Sequence, residues 1–179
     1  VYKQLKDKAV LPERRQLAKT GVLRSAYMLG NGEEVMLAAT DLLAETKVAP
    51  ELSNEAHYYR AKAYLDAGKV EGAMDDLKIL AKDTRNIYGA EAKYKVAQIY
   101  FDAGQTEQAE KEVLDYIEVS TPHTYWLARS FVLLSDVYMK LGRNLDAKQY
   151  LLSLKQNYQA DDDIAGMIES RLNKLNAEN

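Results

Sequence analysis

Residues 61–80 read AKAYLDAGKVEGAMDDLKIL, and this stretch decides the fold once two others are laid beneath it. Residues 97–116 read AQIYFDAGQTEQAEKEVLDY, and residues 135–154 read SDVYMKLGRNLDAKQYLLSL. Ala61, Tyr64, Gly68, Ala73 and Leu77 recur as Ala97, Tyr100, Gly104, Ala109 and Val113, then as Ser135, Tyr138, Gly142, Ala147 and Leu151. The spacing is identical in every copy, which is the mark of an internal repeat built from one supersecondary unit.

Each slot has a mechanical reason. Glycine ends a first helix because it tolerates the positive φ that lets the chain reverse in a short turn. Small residues before and after it sit where two antiparallel helices cross and a larger side chain would hold them apart. Tyrosine three residues after the small one shares its helical face and fills the space between hairpins. The second helix then offers an apolar ridge, as in Ala73, Leu77 and Leu80 or Ala109, Val113 and Tyr116. Upstream, Tyr27, Asn31, Met36, Thr40 and Leu43 read as a weaker fourth copy with Asn in the turn slot. Turn positions 31, 68, 104 and 142 lie 37, 36 and 38 residues apart, a period of about 37.

Over roughly residues 17 to 160 these positions resemble the tetratricopeptide repeat (TPR) family. The resemblance implies an all-α, right-handed superhelical solenoid of antiparallel helix pairs that binds proteins on the concave face of its first helices. The usual repeat of that family is about 34 residues, and its late proline is mostly missing, with only Pro122 near the slot. The longer period is similar to a subgroup of bacterial envelope proteins, the outer-membrane-assembly lipoproteins and the coordinator associated with the Tol-Pal system. That likeness implies a periplasmic or envelope-associated location.

Composition agrees with helix. The chain has 179 residues, 47% hydrophobic and 28% charged, with only 3 prolines and 9 glycines, a soluble folded composition rather than a disordered one. Net charge is −3 with both signs interleaved along the chain, so a basic stripe for nucleic acid is missing. Without cysteine, disulfides, thiolate metal sites and cysteine nucleophiles are excluded. No run approaches the roughly 20 apolar residues of a membrane span, so direct membrane insertion by this segment is not expected.

The expected layout is one solenoid over residues 1–179. Residues 1–11 read as the end of a truncated repeat, with a helix over about 1–9. Repeats follow at 12–50, 51–87, 88–123 and 124–160, each a helix pair, with Pro50 and Thr121-Pro122 marking starts. A capping helix fills 161–179, apolar at Ile164, Met167, Ile168, Leu172 and Leu175 and polar at Glu169, Arg171 and Lys174. Solenoid ends need such a cover. The missing initiator methionine and the half-hairpin start read as a C-terminal fragment of a longer protein.

Catalytic and metal chemistry find no foothold. Asp161, Asp162 and Asp163 directly precede a helix, where carboxylates cap exposed amides and favour the dipole. His57 and His123 lie in different repeats without a ligand or base at helical spacing. His57 is expected to pack at a hairpin interface. No nucleophile elbow, phosphate loop or dinucleotide fingerprint occurs. No catalytic residue, metal site or cofactor is expected, and Arg60 at a usually apolar slot finds no reason in the sequence.

The binding face implied by the resemblance carries Tyr58, Lys62 and Asp66 in one repeat and Tyr94, Gln98 and Asp102 in the next, continued by Arg129, Asp136 and Lys140. Aromatic anchors with polar contacts around them suit an extended peptide or a partner helix. Two other functions fit the same repeats: a structural spacer or self-association segment of a longer repeat protein, and the regulatory arm of an enzyme whose catalytic domain lies upstream.

Overall fold

The computed structural model describes residues 11–177 together with Tyr2 and Gln4, and among these residues the regular structure is all α-helix. Apart from Tyr2 and Gln4, the helix expected over residues 1–9 lies outside the described residues. The helices are α1 (Pro12–Met28), α2 (Gly32–Leu43), α3 (Pro50–Asp66), α4 (Val70–Leu80), α5 (Ile87–Asp102), α6 (Thr106–Ile117), α7 (Thr124–Lys140), α8 (Asn144–Asn157) and α9 (Ile164–Ala177).

One turn closes four of the helix pairs. After α3, the Gly68 N–H donates to the Leu65 carbonyl at 3.0 Å and the Lys69 N–H to the Tyr64 carbonyl at 2.8 Å. The same two bonds recur at Gly30 and Asn31, Gly104 and Gln105, and Gly142 and Arg143. This is the Schellman arrangement, which satisfies carbonyls left over at a helix C-terminus. The residue after each glycine then accepts the first bond of the next helix, as in Ala73 N–H to the Lys69 carbonyl. A single residue thus ends one helix and starts another, so the connection needs only three residues.

The turn glycines have φ of +66° to +75°, where a side chain would cost about 1–2 kcal/mol. In the first hairpin the positive φ belongs to Gly30, not to Asn31. Asn31 instead caps α2, its side-chain carbonyl accepting from the Glu34 N–H at 3.2 Å. The expected fourth copy is therefore corrected by one residue: Ala26, Gly30, Val35, Ala39 and Leu42 fill the slots. All four of its non-glycine members are buried, whereas Thr40 is exposed and Met36 and Leu43 are half-buried.

The chain forms two compact units, residues 1–80 and 81–179. In the first, α1 packs on α2, α2 on α3 and α3 on α4, with α1 also touching α3. Leu23, Val35, Ala39, Leu42 and Ala56 form its centre, with Ala73, Leu77 and Leu80 buried along α4 as the apolar ridge requires. Lys19 is buried as well, and its ammonium meets the Asp41 carboxylate at 2.8 Å and the Glu45 carboxylate. Burial works against that charge, but the two carboxylates outweigh it and hold the Lys19 pKa above its usual value.

In the second unit α5 to α8 repeat the hairpin stacking, α5 touches α7, and α9 lies on α7 and α8. Val113, Leu133, Leu134, Leu151, Ile164 and Ile168 are fully or almost fully buried there. Ile164, Ile168, Leu172 and Leu175 make α9 a cover for the last hairpin. Its start is built by the acidic triplet, with Asp162 Oδ1 accepting from the Ile164 N–H at 3.0 Å and the Asp163 carbonyl from the Met167 N–H at 3.1 Å. Arg171 departs from the expected solvent-facing role, because it is half-buried and paired across to α7.

Candidate protein-binding surface on the first helices

In the first unit, Tyr58, Lys62 and Asp66 stand four residues apart on α3, one above another on a single face. The Lys62 ammonium lies 5.5 Å from the Tyr58 ring centre and 5.9 Å from that of Tyr27 on α1, within range of a cation–π attraction. Tyr27 itself stacks on Tyr59 at 3.8 Å with an interplanar angle of 11°. Lys62 makes no ion pair with the described residues, and Asp66 is exposed at the helix end. Below this ledge the two first helices are tied by Arg24 of α1, which donates to both Glu55 oxygens at 2.7 Å. The Arg24 hydrogen bond, against the opposing effect of burial, holds the Glu55 carboxyl below its ordinary range.

The same unit explains Arg60 and His57. Asp76 on α4 is 1% exposed, and Arg60 donates to its two oxygens at 2.8 and 2.7 Å while His57 Nδ1 lies 2.6 Å from Oδ1. Arg60 also donates to the Thr40 hydroxyl at 2.8 Å, so the network joins α2, α3 and α4. Burial opposes the Asp76 charge, but the Arg60 and His57 hydrogen bonds win and depress its pKa. Arg60 occupies an apolar slot because an acid faces it from the next helix. A single sequence hides that complementarity, since Asp76 reads as an ordinary second-helix acid.

In the second unit the expected face is more committed. Tyr94, Gln98 and Asp102 form a ladder up α5: the Tyr94 hydroxyl donates to Gln98 Oε1 at 3.0 Å, and Gln98 Nε2 donates to Asp102 Oδ1 at 2.8 Å. Tyr94 departs from the expected role of exposed anchor. Its side chain is only 7% exposed, against Trp126 at 5.6 Å between ring centres and beneath the Arg129 guanidinium at 5.1 Å. Arg129 donates to the Tyr94 hydroxyl at 3.0 Å, to the Tyr125 hydroxyl at 3.2 Å and to Asp163 Oδ2 at 3.2 Å. Tyr125 and Trp126 thus join this cluster although spacing against the turn glycine gave no sign of them.

Asp136 of α7 receives two bonds from Arg171 of α9, at 2.8 and 2.6 Å. Lys140, four residues on, is exposed, with its ammonium 5.6 Å from the Phe101 ring centre and no ion pair or hydrogen bond among the described residues. Phe101, Asp136, Met139, Lys140 and Lys174 line an open cleft of about 370 Å³. First helices are therefore bolted to their neighbours by Arg24–Glu55, Arg129–Tyr94 and Arg171–Asp136, while Asp66, Asp102 and Lys140 are exposed and Lys62 is half-buried over its two rings.

Other chemistry is sparse. Among the described residues no group of three or more His, Cys, Asp or Glu side chains is placed to hold a metal ion, and no helix is long and apolar enough to cross a membrane.

No family model and no curated protein matches the chain. Two solved structures do, both described as "Podosopora anserina putative kinesin light chain nearly identical TPR-like repeats". One, a point variant of that protein, has a TM-score of 0.56 at 15% identity, covering 91% of this chain and 93% of that one. The other has a TM-score of 0.55 at 16% identity, covering 94% and 96%. The helical hairpins described above are therefore similar in fold to TPR-like repeats.

Proposed function

We propose that this chain is a protein-interaction scaffold, not an enzyme, and that its first helices carry the surface on which a peptide or partner protein lies. The observation that supports it most is the division of labour on those helices. Arg24, Glu55, Arg129 and Arg171 hold neighbours together, while half-buried Lys62 and exposed Lys140 lie beside aromatic rings with no ion pair among the described residues. A ring edge beside a cation without an acid partner offers both area and orientation to a binding peptide. The longer-period resemblance extends the proposal to an envelope-associated partner, on the strength of the 36- to 38-residue turn spacing alone.

Site-specific photocrosslinkers at Tyr58, Asp66, Asp102 and Lys140, compared with crosslinkers at Leu37 and Gln149 on second helices, test the surface in cells. Partner adducts concentrated on the first-helix positions are expected. Adducts confined to the second-helix positions would overturn the assignment. Tyr94→Ala is a poor probe because it empties a buried site.

A self-association segment is the second reading, favoured by Leu17, Met28, Leu29 and Leu37, which are 65%, 86%, 82% and 69% exposed on the first hairpin. Sedimentation across a concentration series separates the two, since a strictly monomeric chain removes that alternative.

A further inference from the structure

We propose that the Tyr27–Tyr59 stack is an oxidative cross-linking site, where a peroxide-derived one-electron oxidant joins the two rings through a carbon–carbon bond. The rings come from α1 and α3, with centres 3.8 Å apart and planes 11° from parallel. Aromatic side chains in contact ordinarily hold their centres about 4.5–7 Å apart, offset or edge to face. Here the ring carbons of one phenol lie over those of the other. Two other tyrosine pairs lack that overlap: Tyr58 and Tyr59 are 6.0 Å apart and tilted at 53°, and Tyr138 and Tyr150 are 5.5 Å apart and tilted at 48°. Tyr27 and Tyr59 are both half-buried, so a small oxidant reaches them while the helices hold the rings in register.

Each phenol gives up one electron to the oxidant and its O–H proton to a base. For Tyr59 that base is in place, since its hydroxyl donates to the Glu55 carboxylate, which Arg24 also holds. An oxidised phenol is a strong acid and passes its proton even to a weak base. The Tyr27 proton leaves to solvent. The unpaired electron of each phenoxyl radical spreads onto the ring carbons ortho to oxygen, and one such electron from each ring pairs to form a Cε–Cε bond. The hydrogen on each joined carbon then moves as a proton to the oxygen of its own ring, restoring two phenols. The pair loses two electrons and two protons in all, which one molecule of hydrogen peroxide takes up to become two waters. The chain has thirteen tyrosines and no cysteine, so no thiol of its own quenches the radicals. Well-oriented neighbours act on one another at effective molarities of about 10⁵ M or more, so coupling inside the chain outruns coupling between copies. The new bond joins α1 to α3 across the first hairpin and, like any cross-link, restrains the unfolded chain.

This site needs no partner, so its failure would leave the scaffold reading untouched. The test exposes the full chain at micromolar concentration to persulfate, itself a peroxide, with a photoexcited ruthenium tris-bipyridyl complex, and maps tyrosine cross-links by mass spectrometry. The main product should be a peptide pair joined at Tyr27 and Tyr59, lighter by two hydrogens and showing dityrosine fluorescence. Tyr27→Phe and Tyr59→Phe should each abolish it and Tyr58→Phe should not, with circular dichroism confirming that the variants fold. In urea the wild-type yield should fall about tenfold or more, since the rings then meet only by chain diffusion. That comparison does not depend on any variant. The cross-linked chain should also melt at a higher temperature than the untreated one. Coupling of Tyr27 or Tyr59 chiefly to another tyrosine or another copy would overturn the assignment, as would an undiminished yield in urea. So would the absence of this cross-link at an oxidant dose that dimerises N-acetyltyrosine amide in the same solution.

Discussion

Arg60 on α3 grips Asp76 on α4 with two parallel hydrogen bonds, Nε to Oδ2 at 2.8 Å and Nη2 to Oδ1 at 2.7 Å. Because Asp76 is 1% exposed, the pair is one-sided: breaking it leaves a carboxylate in the interior with His57 as its remaining side-chain partner among the described residues. Arg60→Ala should therefore destabilise the chain by about 3 kcal/mol, at the low end for a broken buried pair, because Arg60 keeps some contact with solvent. Urea unfolding of the variant against wild type measures the difference. A change below about 0.5 kcal/mol, typical of a surface pair, would show that the bidentate contact contributes nothing special.

This pair and the Arg24–Glu55 pair together set an acid limb. Asp76 and Glu55 both have folded pKa values below their ordinary 3.8 and 4.5. A depressed carboxyl pKa contributes stability that is complete above the unfolded value and is lost as pH falls through the folded one. Stability should hold at neutral pH, decline from about pH 5 downward as the unfolded carboxyls protonate, and lose these contributions below the folded values. Thermal melts of wild type and Asp76→Asn between neutral and acid pH check the sign. The variant should show a shallower acid limb.

Turn and helix glycines should respond oppositely to alanine. Gly68 has φ of +69°, so Gly68→Ala should cost about 1–2 kcal/mol. Gly166 lies inside α9 with nothing within 4 Å of where a Cβ would stand, so Gly166→Ala should stabilise by about 0.5–1 kcal/mol. Melting temperatures of the two variants should move in opposite directions.

Tyr116 is fully buried, yet its hydroxyl has no hydrogen-bond partner among the described residues. Burial pushes the phenol pKa up, with the neighbouring Thr121 hydroxyl pulling the other way, and the Thr121 hydroxyl already donates to the Thr84 carbonyl at 2.8 Å. Removing an unsatisfied polar atom without changing shape is nearly neutral or stabilising. Tyr116→Phe should leave denaturation midpoints unchanged or higher, whereas Tyr116→Ala should cost about 3–5 kcal/mol through the cavity it opens.

The sequence by itself determined the hairpins. Gly68, Gly104 and Gly142, with small residues and tyrosines at fixed offsets, announce helix pairs because backbone reversal and close helix crossing are local demands that only certain residue types meet. The same local logic slipped by one residue where Gly30, Asn31 and Gly32 stand together, since several turn residues in a row leave the positive φ undecided until packing chooses Gly30. It also placed the acidic triplet at a helix start and left α9 with one apolar face.

Tertiary structure alone decided which polar side chains are engaged inside. Tyr58 and Tyr94 occupy the same slot, but Trp126 and Arg129 from α7 close over Tyr94. Arg60 meets its acid sixteen residues away on another helix, and Arg171 crosses from the terminal helix to Asp136. Exposure and pairing depend on the neighbour that arrives across a helix interface. Spacing along one chain encodes a face, but the physical availability of that face is set by what packs against it.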